Sequence, residues 1–406
     1  MLPGLLATFV LAQAQPPAVP APPAVVAPVA QPAGLPPSID PLPGGAQAGD
    51  GGFSFDTTHN GPPWAFWGGV DYRMMWLKPA ASPGVLATAN GVPFGAGTTE
   101  FGRVNGIGFS VGAWLNDRHT WGVTAGGLLL EQKDTIAAVG GPGTVVRPFT
   151  DALTAGPALF LVNAPAAGVT GSLATAQGIR LSGFDVGVVN NLLTTCDCHW
   201  AADFTAGFRY LDLDEYLTVT QRSTVTGPLP FAGRPLDGVD ALTVTDRFRT
   251  RNQFFGPQVG LRGEYRTGSF FASLGGKLGI GNVHQRADID GRSDVTGVGA
   301  VAGGLLATQG SNLGRFTTNR FGVLVDVGVA AGYQFAAWGR AKVGYDFLYL
   351  NDVARPGQQV DATLNSRLIP TSRNFAGSSG LTAPVPTGRT DDFFAHGFRV
   401  GLELMY

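Results

Sequence analysis

Large apolar side chains recur at every second position over most of the chain beyond residue 64, with glycine, polar or charged residues between them. The segment from Asn319 to Phe335 shows this most clearly, because its valines and aromatic residues share one face while its glycines, aspartate and glutamine share the other. A period of two is typical of a β-strand with two different faces, and no helical period competes with it. The chain is therefore predicted to be all-β.

Ten segments have this alternation, namely 66–78, 101–116, 120–139, 178–191, 199–216, 253–266, 270–284, 319–335, 339–350 and 393–406. Their connections are long at 79–100, 140–177, 217–252, 285–318 and 351–392, and short in between. This regularity predicts an up-and-down meander with tight turns at one end, whereas a Greek-key sandwich gives no reason for it. We expect a transmembrane up-and-down antiparallel β-barrel of about ten strands, with twelve as the alternative, with long outer loops and short periplasmic turns.

The composition excludes several other classes of protein. Charged residues make up 14% of the chain, against ~25% in ordinary soluble domains, and glycine supplies 60 of the 406 residues. The 44% of hydrophobic residues can form a core, which excludes global disorder, and a net charge of −2 does not favour nucleic acid as a partner. No apolar run approaches the ~20 residues of a spanning helix, so a membrane would be crossed by strands.

The first 63 residues differ from the rest of the chain. Residues 1–14 are predicted to be a signal peptide, because an apolar stretch ends in the small-residue pattern Ala12-Gln13-Ala14. Residues 15–63 are rich in proline and glycine, with 11 prolines between positions 15 and 47, and are predicted to be a disordered linker. The barrel is assigned to residues 64–406.

Aromatic residues lie near the ends of the predicted strands, where barrels of the outer membrane carry aromatic girdles on the lipid side. They are Trp76, Trp114, Trp121, Trp200, Tyr210, Trp338 and Tyr349. The last strand ends in Tyr406 on its apolar face, which resembles the signal that barrel-assembly machinery recognises. The expected partners are outer-membrane lipid and this machinery, and homo-oligomer formation is left open.

Charged residues fall on the strand face opposite the aromatic residues and are expected to point into the barrel, because Arg or Lys facing lipid would cost ~2–4 kcal/mol at midplane. The candidates for the lumen lining are Asp203, Arg209, Arg262, Glu264, Lys277, Asp326, Lys342, Asp346, Arg399 and Glu403. The same face carries Asp71, Arg73, Asp185, Arg266 and Arg340. These charges either fill the interior as ion pairs or form a constriction that selects solutes. The interior of a barrel of ~8 strands is filled by its own side chains. A barrel of ten strands is only slightly wider, so a wide pore is not predicted.

Two short motifs could carry other chemistry. Gly108-Phe109-Ser110-Val111-Gly112 matches the G-x-S-x-G pattern of hydrolases, but it lies inside a continuous strand pattern where Ser110 is an inward polar residue. Cys196, Cys198 and His199 could contribute to a metal site, but no second cluster completes it, and a turn is favoured. No enzyme activity, cofactor or metal is predicted.

The segment FWGGVDYRMMWLKPA, from Phe66 to Ala80, and the loop SPGVLATAN that follows it resemble the opening of the putative beta-barrel porin family of type seven. In that family a Y-x-x-x-W-x-K strand leads into a similar loop, and here the three positions are Tyr72, Trp76 and Lys78. The resemblance extends over roughly residues 64–406. It implies a bacterial outer-membrane barrel of unassigned transport role and no catalytic or ligand-binding residues.

The function predicted from these observations is a porin-like channel for small solutes in the bacterial outer membrane. The alternative is a non-conducting structural or adhesive barrel that binds partners through its long outer loops. An outer-membrane enzyme and a soluble β-sandwich are the remaining hypotheses. The selected solute is not predicted, because the inward charges have mixed signs.

Overall fold

A computed structural model describes residues 66–84, 86–194, 199–237, 239–378 and 380–406. The predicted signal peptide, the predicted linker and the cysteines Cys196 and Cys198 lie outside the described residues. Within the described part, no helix is long and apolar enough to cross a membrane.

Ten antiparallel strands form a closed ring, so the predicted barrel is confirmed. They are β1 (Phe66–Leu77), β2 (Arg103–Trp114), β3 (Trp121–Leu130), β4 (Val169–Thr194), β5 (Trp200–Thr226), β6 (Val239–Thr267), β7 (Phe270–Val295), β8 (Gly314–Ala336), β9 (Gly339–Ala354) and β10 (Thr390–Met405). Each pairs with the next along the chain, as in an up-and-down meander, and β10 pairs with β1 from Leu77↔Ala395 to Trp67↔Met405.

Shorter elements lie in the long connections. The strands are Ala80–Ala81, Ala87–Ala89, Val92–Phe94, Thr98–Thr99, Lys133–Gly140, Val145–Asp151, Gly156–Asn163, Leu229–Phe231, Arg234–Leu236, Gly299–Ala302 and Thr363–Leu364, and the 3-10 helices are Pro165–Ala167 and Pro356–Gln359. Lys133–Gly140 continues the line of β3 along β4, and Gly299–Ala302 pairs with β7. With these two the sheet has 12 strands, although the ring itself has ten.

The short turns all lie at one end of the barrel, here called the turn end, and the five long connections lie at the other, the loop end. Four neighbouring strands, β4 to β7, have 26 to 29 residues each, whereas β1, β2, β3, β9 and β10 have 10 to 16. We call β4 to β7 the tall wall. They project far beyond the other strands at the loop end.

The tall wall corrects the predicted loops. Most of segment 217–252 belongs to β5 and β6, whose connection is only 227–238, and the strands also extend into 140–177 and 285–318. The reason is a change of face along each strand. Near the turn end the apolar residues of β6 point outward, as Phe255 and Val259 do, but farther on Phe248 and Val244 point inward and are buried.

This change of face marks the limit of the lipid-facing surface. The outward face of β6 is apolar and exposed from Tyr265 to Phe255, and the outward residues beyond it are Gln253, Arg251 and Arg249. Eleven tilted residues span roughly the ~25 Å of an outer-membrane apolar band. Where a strand is surrounded by lipid, its apolar residues can face outward. Where it is surrounded by water, they must face inward, because nonpolar surface is driven out of contact with water.

Beyond the band, the loop end is filled by a hydrophobic core, here called the cap core, to which all five long connections contribute. Leu86, Val162, Phe231, Leu305 and Ile369 come one from each connection and pack with inward residues of the tall wall. The long connections therefore form a packed cap, and they do not extend freely from the barrel.

Candidate functional site

A cavity of about 340 Å³ lies inside the barrel, within the apolar band. It has room for about ten waters at ~30 Å³ each. Its lining reaches Trp67, Trp114 and Met405 at the turn end and Met75, Leu128 and Leu348 toward the loop end. The charged residues of the lining are Asp71, Arg73, Asp185, Asp203, Arg209, Arg262, Arg266, Lys277, Asp326, Arg340, Lys342, Asp346, Arg399 and Glu403.

Nine of the ten residues predicted to line the lumen lie on this cavity. The tenth, Glu264, is buried behind the lining, where its carboxylate accepts bonds from Arg262, Arg266 and Arg340. The alternation of the strands accounts for this arrangement, because inward residues of neighbouring strands face one another in register, as in Asp203↔Arg262 and Gly260↔Lys277.

A chain of ion pairs joins β6 to the three neighbouring strands β9, β10 and β1. Arg340, on β9, bonds Glu264 at 3.1 Å and Glu403 at 2.5 Å, and its guanidinium lies over the ring of Phe271. Lys342 joins Glu403 at 3.1 Å and lies 3.9 Å from Asp71. Because each charge has a partner, their burial costs far less than burial of isolated charges would.

The chain continues on the side of the barrel where β1 and β10 meet. Arg73 bonds Asp71 at 2.9 Å and Asp346 at 3.2 Å, and Arg399 bonds Asp346 at 3.3 Å. The strand closure is therefore supported inside the barrel by charges from β1, β9 and β10 as well as by its backbone hydrogen bonds.

A second group of charges crosses the lumen. Arg209, on β5, bonds Asp185 of β4 at 2.9 Å and Asp326 of β8 at 3.1 Å, and Lys277 bonds Asp185 at 2.8 Å. Because β5 and β8 are three strands apart in the ring, the Arg209 to Asp326 bond bridges the interior.

The lining as a whole has almost no net charge. With Glu264 included, eight basic residues face seven acidic ones. The Nε atoms of Arg209, Arg340 and Arg399 are buried and have no acceptor among the described residues. Because these three Nε atoms are themselves buried, they are not accessible to a solute, and the lining does not favour one sign of charge strongly.

Glycines on the inward face make room for these charges. A Cβ at Gly108 would lie 2.2 Å from the Oδ2 atom of Asp71 and 2.4 Å from the Nε atom of Arg73, and one at Gly344 would lie 2.8 Å from the Nε atom of Arg399. The side chains of Asp71, Arg73 and Arg399 can therefore lie close to the wall of the barrel.

The cavity ends at a continuous apolar layer toward which every ring strand directs at least one buried side chain. The members, each at most 7% exposed, are Met75, Leu77, Ala80, Phe101, Val104, Leu128, Leu130, Ile179, Leu181, Leu211, Leu213, Phe254, Val283, Leu324, Leu348, Leu350, Val353, Phe393 and Ala395. The apolar layer separates the charged cavity from the cap. The inward charges predicted the cavity, but the apolar layer was missed.

Three other predicted features have the following positions. Trp114 was predicted to face lipid but lines the cavity, where its ring lies 5.0 Å from that of Trp67, because it belongs to the inward face of β2. Ser110 also lines the cavity. His199 lies at the turn end beside Tyr265, and no group of three potential metal ligands occurs among the described residues.

Comparison with known proteins gives a family. A family model described as putative beta barrel porin-7 matches residues 77–406. The search of curated proteins found no match.

Similar solved structures include outer membrane protease OmpT from Escherichia coli, at 12% identity and a TM-score of 0.41, covering 86% of this chain and 100% of that one. The toluene transporter TodX from P. putida has 11% identity and a TM-score of 0.18, with 85% and 91% covered. A FadL homologue from Pseudomonas aeruginosa has 9% identity and a TM-score of 0.22, with 85% and 90% covered.

Proposed function

Because the chain belongs to the putative beta barrel porin-7 family, we propose that it is a porin-like channel for small solutes in the bacterial outer membrane, in its closed state. The observation that carries this proposal is the charged cavity, which begins at the turn end and stops at the apolar layer. The turn end is assigned to the periplasmic side, since short periplasmic turns and long outer connections are the rule for such barrels.

The cavity has the properties expected of a vestibule. It is large enough for a small solute, and its side chains of both signs can replace part of a solute's hydration shell. Because the net charge of the lining is close to zero, we expect little selection between small anions and cations.

The apolar layer accounts for closure. An ion leaving the cavity toward the loop end would lose its hydration in a layer of leucine, isoleucine and phenylalanine that offers no polar partner. The cap core lies beyond this layer and blocks the same path. Passage therefore requires both the apolar layer and the cap to move.

Planar-bilayer recording of the full-length protein tests the proposal. We expect long closed periods with brief openings for the unmodified protein, and a larger open fraction when Leu211→Ser and Leu324→Ser are combined in the apolar layer. The control is Leu274→Ser on the exposed lipid-facing surface, which should not alter gating. Absence of conductance in every variant would reject the channel, while steady conductance of the unmodified protein would reject the closed state.

The second candidate is a non-conducting structural barrel. The cap core favours it, since side chains from all five long connections are packed in a manner that suits a permanent seal. This candidate predicts that no substitution in the apolar layer produces openings while the barrel stays folded. Heat-modifiable migration of the same variants on a gel would establish whether they are folded.

A further inference from the structure

A belt of arginines surrounds one side of the barrel just above the lipid-facing band. The belt residues are Arg180 on β4, Arg249 and Arg251 on β6, Arg286 on β7 and Arg315 on β8. The strand between β4 and β6, β5, contributes Asp212 and Asp214, which bond belt arginines. All five lie on the outward face of their strands. They follow the outer contour of the tall wall and of β8 at a similar height.

The distance of the belt from the membrane follows from the number of residues between each arginine and the last lipid-facing residue of its strand. Phe255 is an exposed lipid-facing residue of β6, and Arg251 lies four positions farther on the same face. Phe184 and Arg180 on β4 have the same separation. Four residues of a tilted strand rise by about 10 Å, which is within reach of the headgroup region because a long arginine side chain can bend back toward it.

Aspartates orient these arginines and leave donors free. Arg251 bonds Asp212 through Nε at 2.9 Å and Nη2 at 2.7 Å, and Arg249 bonds Asp214 through Nε at 2.9 Å. Their Nη1 atoms have no acceptor among the described residues, and the side chains remain 40% and 46% exposed. Each guanidinium is therefore held at one edge and open at the other.

The charge of the belt is one-sided. The five belt arginines and the aspartates that bond them, Asp212, Asp214 and Asp288, together carry a net charge of +2. On the opposite side, at the outer ends of β1 and β10, the ammonium of Lys78 bonds both Asp391 and Asp392. An anion at the membrane surface would therefore be attracted to the β4 to β8 side.

We propose that the arginine belt binds the phosphate groups of anionic lipid at the outer surface of the membrane. A lipid is favoured over a soluble anion because the belt follows the upper edge of an exposed apolar surface, so that one molecule could place its phosphate on Arg249 or Arg251 and its chains against Phe255. The proposal does not depend on conduction.

Native mass spectrometry of the full-length protein in detergent micelles tests the proposal, with phosphatidylglycerol and phosphatidylcholine as the lipid probes. The unmodified protein should retain phosphatidylglycerol preferentially. Each arginine removed in Arg249→Gln/Arg251→Gln should lower that affinity about fivefold, the factor that corresponds to ~1 kcal/mol per basic residue near a membrane surface. Arg249→Lys/Arg251→Lys, which keeps the charge, should restore most of it.

The matched control is Arg292→Gln. Arg292 is also outward on the tall wall and paired with Asp294, but it is 68% exposed and lies six positions farther from the membrane than Arg286. We expect its lipid retention to equal that of the unmodified protein. Equal loss in the control and the double variant would reject the belt as a site, as would unchanged retention in the double variant.

Inorganic phosphate provides a second arm. If phosphate at low millimolar concentration displaced the bound phosphatidylglycerol completely, the belt would be a general anion site and the lipid proposal would be wrong. If the lipid stayed bound, the acyl chains would be shown to contribute. Heat-modifiable migration of every variant establishes that the barrels compared are folded.

Discussion

Arg355 and Glu215 form an ion pair in which each side chain is only 1% exposed, with their Nη2 and Oε1 atoms 2.6 Å apart. Arg355 also donates to the backbone carbonyls of Pro79 and Lys78. The pair thus joins the last long connection to β5 and to the end of β1, directly beyond the apolar layer. Burial opposes the charge of Arg355, but the attraction of Glu215 outweighs it and raises the pKa of Arg355.

Glu215→Gln should destabilise the barrel by ~3–5 kcal/mol, because it leaves a buried guanidinium without its counter-charge. The free energy of unfolding can be measured by urea titration with heat-modifiable migration on a gel as the readout. Adding Arg355→Met should recover much of the loss, since the buried charge is then removed as well. No recovery in the double variant would contradict the explanation that the unpaired guanidinium causes the loss of stability.

Gly207→Ala should weaken the barrel, whereas Gly263→Ala on the next strand should not. A Cβ at Gly207 would lie 2.1 Å from the carbonyl oxygen of Val186 and 2.5 Å from the Cα of Gly187, so the backbones of β4 and β5 would have to separate. A Cβ at Gly263 would meet nothing within 4 Å. The urea midpoints of the two variants give the comparison, and equal midpoints would contradict the close approach of the strands.

Val259→Arg should reduce stability by ~2–4 kcal/mol, because the exposed Val259 side chain lies near the centre of the lipid-facing band. Thr220→Arg is the control, since Thr220 is also outward but lies on the part of β5 beyond the band. Refolding into lipid vesicles followed by urea titration measures both. A small effect at Val259 would mean that the band is placed wrongly.

Acid should weaken the tall wall through Asp288. Burial raises the pKa of this carboxyl, but the hydrogen bonds from Arg315 and Arg286 lower it by more, so the net pKa is below its usual value. A lowered pKa in the folded state adds stability above the unfolded value of ~3.9, and this contribution is lost as the pH falls through the folded pKa. The urea midpoint of Asp288→Asn should therefore be lower than that of the unmodified protein at neutral pH, and the difference should disappear in acid.

Ser110→Cys should react with a charged thiol reagent only from the turn end. Ser110 lines the cavity, and the apolar layer lies between it and the loop end. With Cys196 and Cys198 replaced by serine, labelling is compared in intact and permeabilised cells, and Thr220→Cys on the outer wall serves as the externally accessible control. Labelling of Ser110→Cys in intact cells would mean that the barrel is open at its outer end.

The ring of ten strands was predictable because two signals can be seen directly in the sequence. Apolar residues alternate with polar residues within each strand, and long connections alternate with short ones between the strands. Phe66–Leu77 and Thr390–Met405 agree with the predicted 66–78 and 393–406 within a few residues. The predicted 120–139 is interrupted after Leu130, although Lys133–Gly140 continues along the same neighbour. Such breaks are local and leave the topology unchanged.

The outer halves of the tall strands were not predicted, because their apolar residues change face. Leu217 and Val219 of β5 are buried on the inward side, while Phe208 on the same strand is exposed to lipid. A sequence prediction that follows outward apolar residues along a strand therefore ends the strand at the membrane surface. The apolar layer was missed for the same reason, since Leu211 and Leu213 lie where the two patterns meet.

The pairing of β4 with β5 extends from Val169↔Val225 to Thr194↔Ala201 with one irregularity, between Asn191 and Leu193. A slip of β5 by one residue would turn Arg209 toward lipid and Phe208 into the charged cavity, and it would bring the buried Leu217 out into water. A one-residue slip of β5 would therefore be unfavourable in three environments, namely the lipid, the charged cavity and the water beyond the membrane. Assembly of this barrel is therefore expected to be faithful, because a hairpin in the wrong register is excluded by the membrane before the ring closes.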